Sequence, residues 1–381
     1  MTFRLSLLIL IFLQDVYGQE NRLIVGAERP DQYLRYLENK NVGVVVNHTS
    51  RAFGTHLVEM LISNKVNIVK IFTPEHGYRG IADAGQHLSD AIDEQTGIAV
   101  VSLYGEKTKP LPADLNGIDI IVFDIQDVGV RFYTYISTLH LVMEACAENG
   151  IELVVLDRPN PNGDYVDGPV IQDSLKSFVG LDPLPIVYGL TIGELAGMIN
   201  GEKWLSGALQ CKLKVIPISN YNHNTRYSLP YRPSPNLPND QSIRLYPSLC
   251  LFEGTIMSLG RGTEFPFQVV GYPDSISGDF VFTPVGTEGN ANPKYKGRTC
   301  FGKDYQGMDP VPNFSLSFII DFYYKLGKKY DFFNDYFDKL AGNSELRKQI
   351  IAGFSEEEIR ITWAEDLSRF KELRNKYLLY P

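Results

Sequence analysis

The chain has 381 residues, 44% of them hydrophobic, and a formal charge of −9. That length holds about two packed domains rather than one. The acidic balance, with no dense run of Lys and Arg, excludes nucleic acid as the default partner. Four cysteines without Cys-x-x-Cys spacing make no disulfide framework and read as buried thiols.

The first element reads as a secretory signal over residues 1–18. Arg4 supplies the basic start, Leu5 to Leu13 the apolar run, and Val16-Tyr-Gly18 the approach to a cut before Gln19. The run is too short to span a bilayer, and no other segment approaches the roughly 20 apolar residues of a membrane helix. The expectation is a secreted, periplasmic protein with no membrane insertion after cleavage.

A short helix is expected over Tyr33 to Asn39, then an apolar strand from Val42 to Val46 that ends at Asn47. Helical spacing at Leu57, Met60 and Leu61 leads to a second strand, Asn67 to Ile71. It breaks at Phe72-Thr-Pro-Glu-His-Gly-Tyr78, where Pro74 removes a backbone donor and turns the chain. Three more apolar strands follow: Ile98 to Leu103, ending at Tyr104; Ile118 to Phe123, ending at Asp124-Ile-Gln-Asp127; and Ile151 to Leu156, ending at Asp157-Arg158. Between the last two, a helix from Tyr135 to Glu148 stops at Asn149-Gly150.

Five such strands with helical or mixed connections predict an α/β fold, a doubly wound parallel sheet. In that arrangement Asn47, Glu75, His76, Tyr104, Asp124, Gln126, Asp127 and Arg158 gather along one sheet edge, where ligands of open α/β sheets bind. Local capping and turn formation account for roughly half of them. Neither a Gly-x-Gly-x-x-Gly nor a Walker loop is present, and the histidines form no His-Glu-x-x-His, so no cofactor and no metal are expected. A serine hydrolase elbow, Gly-x-Ser-x-Gly, is also missing.

The organisation changes near residue 180. A Pro- and Gly-punctuated connection runs to Gly189, and Thr191 with Glu194 forms a capping box for the next helix. A strand is expected over Leu213 to Ile218. Tyr231 to Pro238 is too proline-rich for regular structure and reads as a rigid loop lining a cleft. A helix over Ser242 to Phe252 leads to Glu253-Gly-Thr-Ile-Met-Ser-Leu-Gly-Arg-Gly-Thr-Glu-Phe-Pro-Phe267, where glycines flank Arg261. Phe314 to Leu326, with Leu316, Ile319, Ile320 and Tyr323 as a stripe, and the chain from Phe332 onward read as helical. The expected domains are 19–210 and 211–381.

Thr73-Pro-Glu-His-Gly77, Ser102-Leu-Tyr-Gly105, Phe123-Asp-Ile-Gln-Asp-Val-Gly-Val-Arg-Phe-Tyr-Thr-Tyr135, Leu156-Asp-Arg-Pro-Asn-Pro161, Phe252-Glu-Gly-Thr255 and Ser258-Leu-Gly-Arg-Gly-Thr263 occur in this order. Together they resemble the exo-β-N-acetylmuramidase family of the NamZ type, from about Val25 to the C-terminus. The resemblance implies a Rossmann-like N-terminal domain and a smaller α+β C-terminal domain enclosing a cleft. It also implies exo-acting release of terminal N-acetylmuramic acid from the non-reducing end of peptidoglycan fragments, with Glu75 central to catalysis. The chain departs from the family at Tyr188-Gly189, where His-Gly is expected.

Glycoside hydrolysis needs a protonated carboxyl to assist the leaving oxygen and a second group to attack or to activate water. Glu75 is the candidate acid, with Phe72 and Tyr78 as apolar surroundings and His76 to orient it. Asp124 or Asp127 is the expected second carboxylate; participation of the substrate's own N-acetyl group is the competing route. The lactyl carboxylate of muramic acid calls for a cationic fork, for which Arg131 and Arg261 rank before Arg158. Asn47, Tyr104, Gln126, Tyr133 and Glu253 complete the expected substrate contacts. The competing reading is a catalytically inactive protein that binds peptidoglycan fragments or solutes.

Overall fold

The computed structural model describes residues 22–75, 77–78, 91–287, 289–311 and 313–381. The expected signal segment and His76 lie outside the described residues. In chain order the first strands are β1 (Asn41–Val46), the short β2 (Arg51–Ala52) and β3 (Thr55–His56), β4 (Asn67–Thr73), β5 (Ala91–Ile92), β6 (Ala99–Ser102), β7 (Ile120–Asp124), β8 (Glu152–Leu156) and β9 (Lys212–Ile216). Seven of them form one sheet in the order β5-β6-β4-β1-β7-β8-β9, parallel throughout except for the edge pair β5 and β6.

The pleat explains why both faces are apolar. Val42, Val44, Val46, Ile71, Ile120 and Val122 point to one face and pack with the helix Leu57–Ser63. Val45, Phe72, Ile121, Phe123, Leu153 and Val155 point to the other and pack with the helices Tyr135–Asn149 and Ile192–Gly201. Continuous β-branched runs are the sequence form of strands buried on both sides. The first of these two helices ends at Gly150, whose φ of 68° is the left-handed stop expected for it. The second is capped by Thr191, which accepts from the Glu194 N–H while Glu194 returns a bond to the Thr191 N–H.

The strand order turns back between β1 and β7, and registers Val45 with Phe123 and Thr73 with Ser102. Residues just past β1, β4, β6, β7 and β8 therefore come to the same edge. This is the switch point at which open α/β sheets place their ligands.

β9 pairs parallel with β8, so the sheet continues past the boundary expected at residue 210. Its lysines Lys212 and Lys214 suit a sheet edge, and only the pairing with β8 reveals its membership. The smaller C-terminal domain adds an antiparallel sheet of β10 (Val269–Tyr272), β11 (Phe280–Phe282) and β12 (Cys300–Asp304), with β12 in the middle. The tail, expected as helical over Phe314 to Leu326 and from Phe332 onward, is five short helices, Ser317–Leu326, Tyr336–Ala341, Leu346–Ala352, Glu356–Ile361 and Ala364–Arg374, with Gly327, Gly342 and Gly353 ending the first three. Their apolar faces join the cluster on the second face of the large sheet, so the two domains share one core. All four cysteines are free and buried, and among the described residues no helix is long and apolar enough to cross a membrane.

Candidate active site

Where the two domains meet, a cavity of about 450 Å³ opens beside the end of β4. That size falls within the ordinary range for small-ligand sites. Glu75 reaches it from the turn that Pro74 forces after β4, and the Thr134 hydroxyl donates to its Oε2 at 3.3 Å. Tyr104, just past β6, faces Phe178 with ring centroids 6.1 Å apart. The C-terminal domain contributes Tyr246, Cys250, Glu253, Arg261, Tyr336, Lys339 and Leu340.

Glu253 and Arg261 form the charged end of this second wall. Arg261 donates from Nε and Nη2 to the same Glu253 oxygen, at 2.8 and 2.5 Å, and its guanidinium lies 4.9 Å from the centre of the Phe267 ring. The flanking glycines have φ of 71° and 78°, and a Cβ at Gly262 would meet the Val285 carbonyl at 2.2 Å. They permit the close backbone approach that turns Arg261 back onto Glu253. The Tyr336 hydroxyl is pushed up first by burial and then by its neighbours Cys250, Glu253 and Glu75. One phenol thus senses both carboxylates, which face the same space from opposite domains.

The cavity brings together Glu75, Tyr104, Glu253 and Arg261 of the residues singled out from sequence. Of the other candidates, those among the described residues do not line it, and His76 lies outside the described residues. Asp124, fully buried, is bound by Arg158 through Nε at 2.5 Å and Nη2 at 2.8 Å, and Arg158 also donates to the Arg51 carbonyl. This pair seals the switch point between β1 and β7. Asp127 is buried, accepts from the Tyr188 hydroxyl and from the Gly129 N–H, and is pushed up to about 6 by its desolvation against those bonds. The position where the family pattern expects His therefore serves Asp127 as a buried phenol.

Arg131 is the plainest departure from expectation. It is fully buried, and its guanidinium donates to four backbone carbonyls: Pro169 at 2.9 Å and Leu184 at 2.8 Å from Nη1, Leu340 at 2.9 Å and Ala341 at 2.8 Å from Nη2. A fork so engaged pins the helix Tyr336–Ala341 to the N-terminal domain. Asn47 accepts from the Thr49 N–H and hydroxyl, Gln126 donates to the carbonyls of Asp127 and Pro159, and the Tyr133 hydroxyl donates to the Pro233 carbonyl. The proline-rich loop thus packs on Tyr133, away from the cavity lining. The apolar surroundings of Glu75 also differ: Phe72 is buried in the core and Tyr78 packs edge-on against His56, so Tyr104, Phe132 and Phe178 take their place.

Thr134, Phe178, Tyr246, Tyr336 and Lys339 were not anticipated. Thr134 lies inside the 123–135 motif and was accessible to motif reading. Tyr336 and Lys339 sit on a six-residue helix whose sequence carries no sign of a site.

Family models described as "Exo-beta-N-acetylmuramidase NamZ, N-terminal" and "Exo-beta-N-acetylmuramidase NamZ, C-terminal" match residues 42–241 and 244–380. Peptidoglycan beta-N-acetylmuramidase NamZ of Bacillus subtilis (strain 168) is 38% identical, over 92% of this chain and 89% of its own. A crystal structure of a DUF1343 family protein from Bacteroides fragilis NCTC 9343 has a TM-score of 0.87 at 44% identity, covering 94% of this chain and 99% of that one. A second from the same organism has a TM-score of 0.79 at 30% identity, covering 95% and 100%. With both halves matched in order and a relative aligned along nearly its whole length, the chain belongs to the NamZ family of exo-β-N-acetylmuramidases.

Proposed function

We propose that the protein is an exo-acting glycosidase that releases N-acetylmuramic acid from the non-reducing end of peptidoglycan fragments, with Glu75 and Glu253 as its two working carboxylates. The observation that carries the reading is the cavity itself, in which two carboxylates from opposite domains face one space walled by aromatic rings. Glu75 protonates the glycosidic oxygen as the bond breaks. Glu253, anchored by Arg261, stabilises the positive charge that develops at the anomeric carbon and positions what attacks there. Tyr104, Phe132 and Tyr246 offer apolar surface to the pyranose faces.

The basic, then apolar N-terminus supports export to the periplasm. Incubation with a disaccharide bearing N-acetylmuramic acid at its non-reducing end should yield the free monosaccharides. No release from that disaccharide, or release only after an internal cut in a longer strand, overturns the reading.

A further inference from the structure

Glu253 and Arg261 form a wall common to the main cavity and a second one of about 200 Å³, whose remaining lining is Met257, Ser258, Leu259 and Lys294. Its charges do not balance. Arg261 and Glu253 offset each other, whereas the Lys294 ammonium donates to the neutral Thr255 carbonyl at 2.7 Å. No carboxylate other than Glu253 lines this space among the described residues. A lysine has three donors, so two remain for a ligand. Enclosure of the ammonium pulls its pKa down, with Glu253 acting in the opposite direction, as expected for a cation whose counter-ion is shared with another. Met257 and Leu259, almost fully buried, also line this space and supply an apolar surface.

A site with one surplus cation and an apolar wall fits a short substituent bearing both a carboxylate and a methyl group. We propose that the side cavity receives the O-lactyl group of the terminal sugar, its carboxylate on Lys294 beside Arg261 and its methyl against Met257 and Leu259. The inference rests on the sugar occupying the main cavity, as proposed above. It makes Lys294 a specificity-determining residue that distinguishes a muramyl unit from a glucosaminyl one. Arg131 cannot take this part, since its guanidinium is bound to four carbonyls.

Calorimetric titration of the full-length protein with N-acetylmuramic acid and with its lactyl methyl ester isolates the charge. The wild type should bind the acid about 10- to 100-fold more tightly than the ester, the range of one or two charge-assisted hydrogen bonds. Lys294→Gln keeps a donor for the Thr255 carbonyl while removing the charge. It should weaken the acid by about 10- to 100-fold, leave the ester unchanged and so erase most of the discrimination, and Lys294→Arg should restore it. Equal weakening of acid and ester in Lys294→Gln, discrimination that survives the change, or none in the wild type would overturn the inference. Because binding is read without turnover, a wild type that discriminates but releases no muramic acid sinks the hydrolase reading and leaves the side cavity standing.

Discussion

Replacing Arg131 by Met should unfold the domain junction long before it alters recognition of the sugar. The change takes the guanidinium away from four buried carbonyls 2.8 to 2.9 Å from it; Leu184 keeps the Ile171 N–H at 3.1 Å, while Pro169, Leu340 and Ala341 lose their side-chain donor. Each unsatisfied buried group costs about 1–3 kcal/mol, and the sum is not additive because the junction relaxes. A total on the order of 3–5 kcal/mol is expected, comparable to stripping one partner from a buried ion pair. Leu340 and Ala341 end the helix that carries Tyr336 and Lys339 into the cavity, so the wall should loosen as well. Urea denaturation followed by circular dichroism reads the first effect, and muramic acid binding, measured where the variant is still folded, reads the second. Affinity for acid and neutral ester should fall together. Unchanged stability with a selective loss of the acid would instead place Arg131 against the substrate.

Asp124→Ala should cost on the order of 3–5 kcal/mol by leaving Arg158 buried and unpaired, and loss of turnover at full thermal stability would contradict its structural role. Glu253→Gln keeps an acceptor for Arg261 but removes the charge; kcat for a chromogenic muramide should fall about 100-fold or more, and a variant of nearly wild-type kcat rules Glu253 out as the second carboxylate. Asp127 gives a pH test. Its folded pKa of about 6 lies above the unfolded value, so the folded state binds more protons in the intervening range. Its contribution to stability is therefore lost as pH rises from about 4 to about 6, by on the order of 3 kcal/mol. Denaturation midpoints of the wild type and Asp127→Asn from pH 4 to 7.5 should converge toward, or cross in favour of, the variant as pH rises; parallel curves would show that Asp127 does not titrate in that range.

Much of this fold could be read from strand ends alone. Val42 to Val46, Asn67 to Ile71 and Ile151 to Leu156 are β-branched runs that only a doubly covered sheet accommodates; Pro74 and Gly150 mark boundaries of the last two, and Thr191 the start of a covering helix, through local backbone chemistry. The edge to which Glu75 and Tyr104 belong follows from parallel order. Which side chains turn into solvent and which turn inward does not. Asp124 and Asp127 stand at the same strand end as a true cavity residue might, yet Arg158 and Tyr188, contributed from 34 and 61 residues away, draw both into the interior. Arg131 joins carbonyls 209 and 210 residues distant. Such partners are fixed by tertiary packing, and no local periodicity encodes them. For the same reason the C-terminal helices disclosed their apolar stripe but not that Tyr336 and Lys339 face the opposite domain.

If Glu75 supplies the proton for cleavage of a terminal muramyl bond, Glu75→Gln removes that proton and little else. The substitution is nearly isosteric and leaves an acceptor for the Thr134 hydroxyl. Release from a chromogenic muramide should fall by about 100- to 10,000-fold, while calorimetric affinity for N-acetylmuramic acid stays within about threefold of the wild type, under about 0.7 kcal/mol. Turnover within a few-fold of the wild type in that variant would contradict the account.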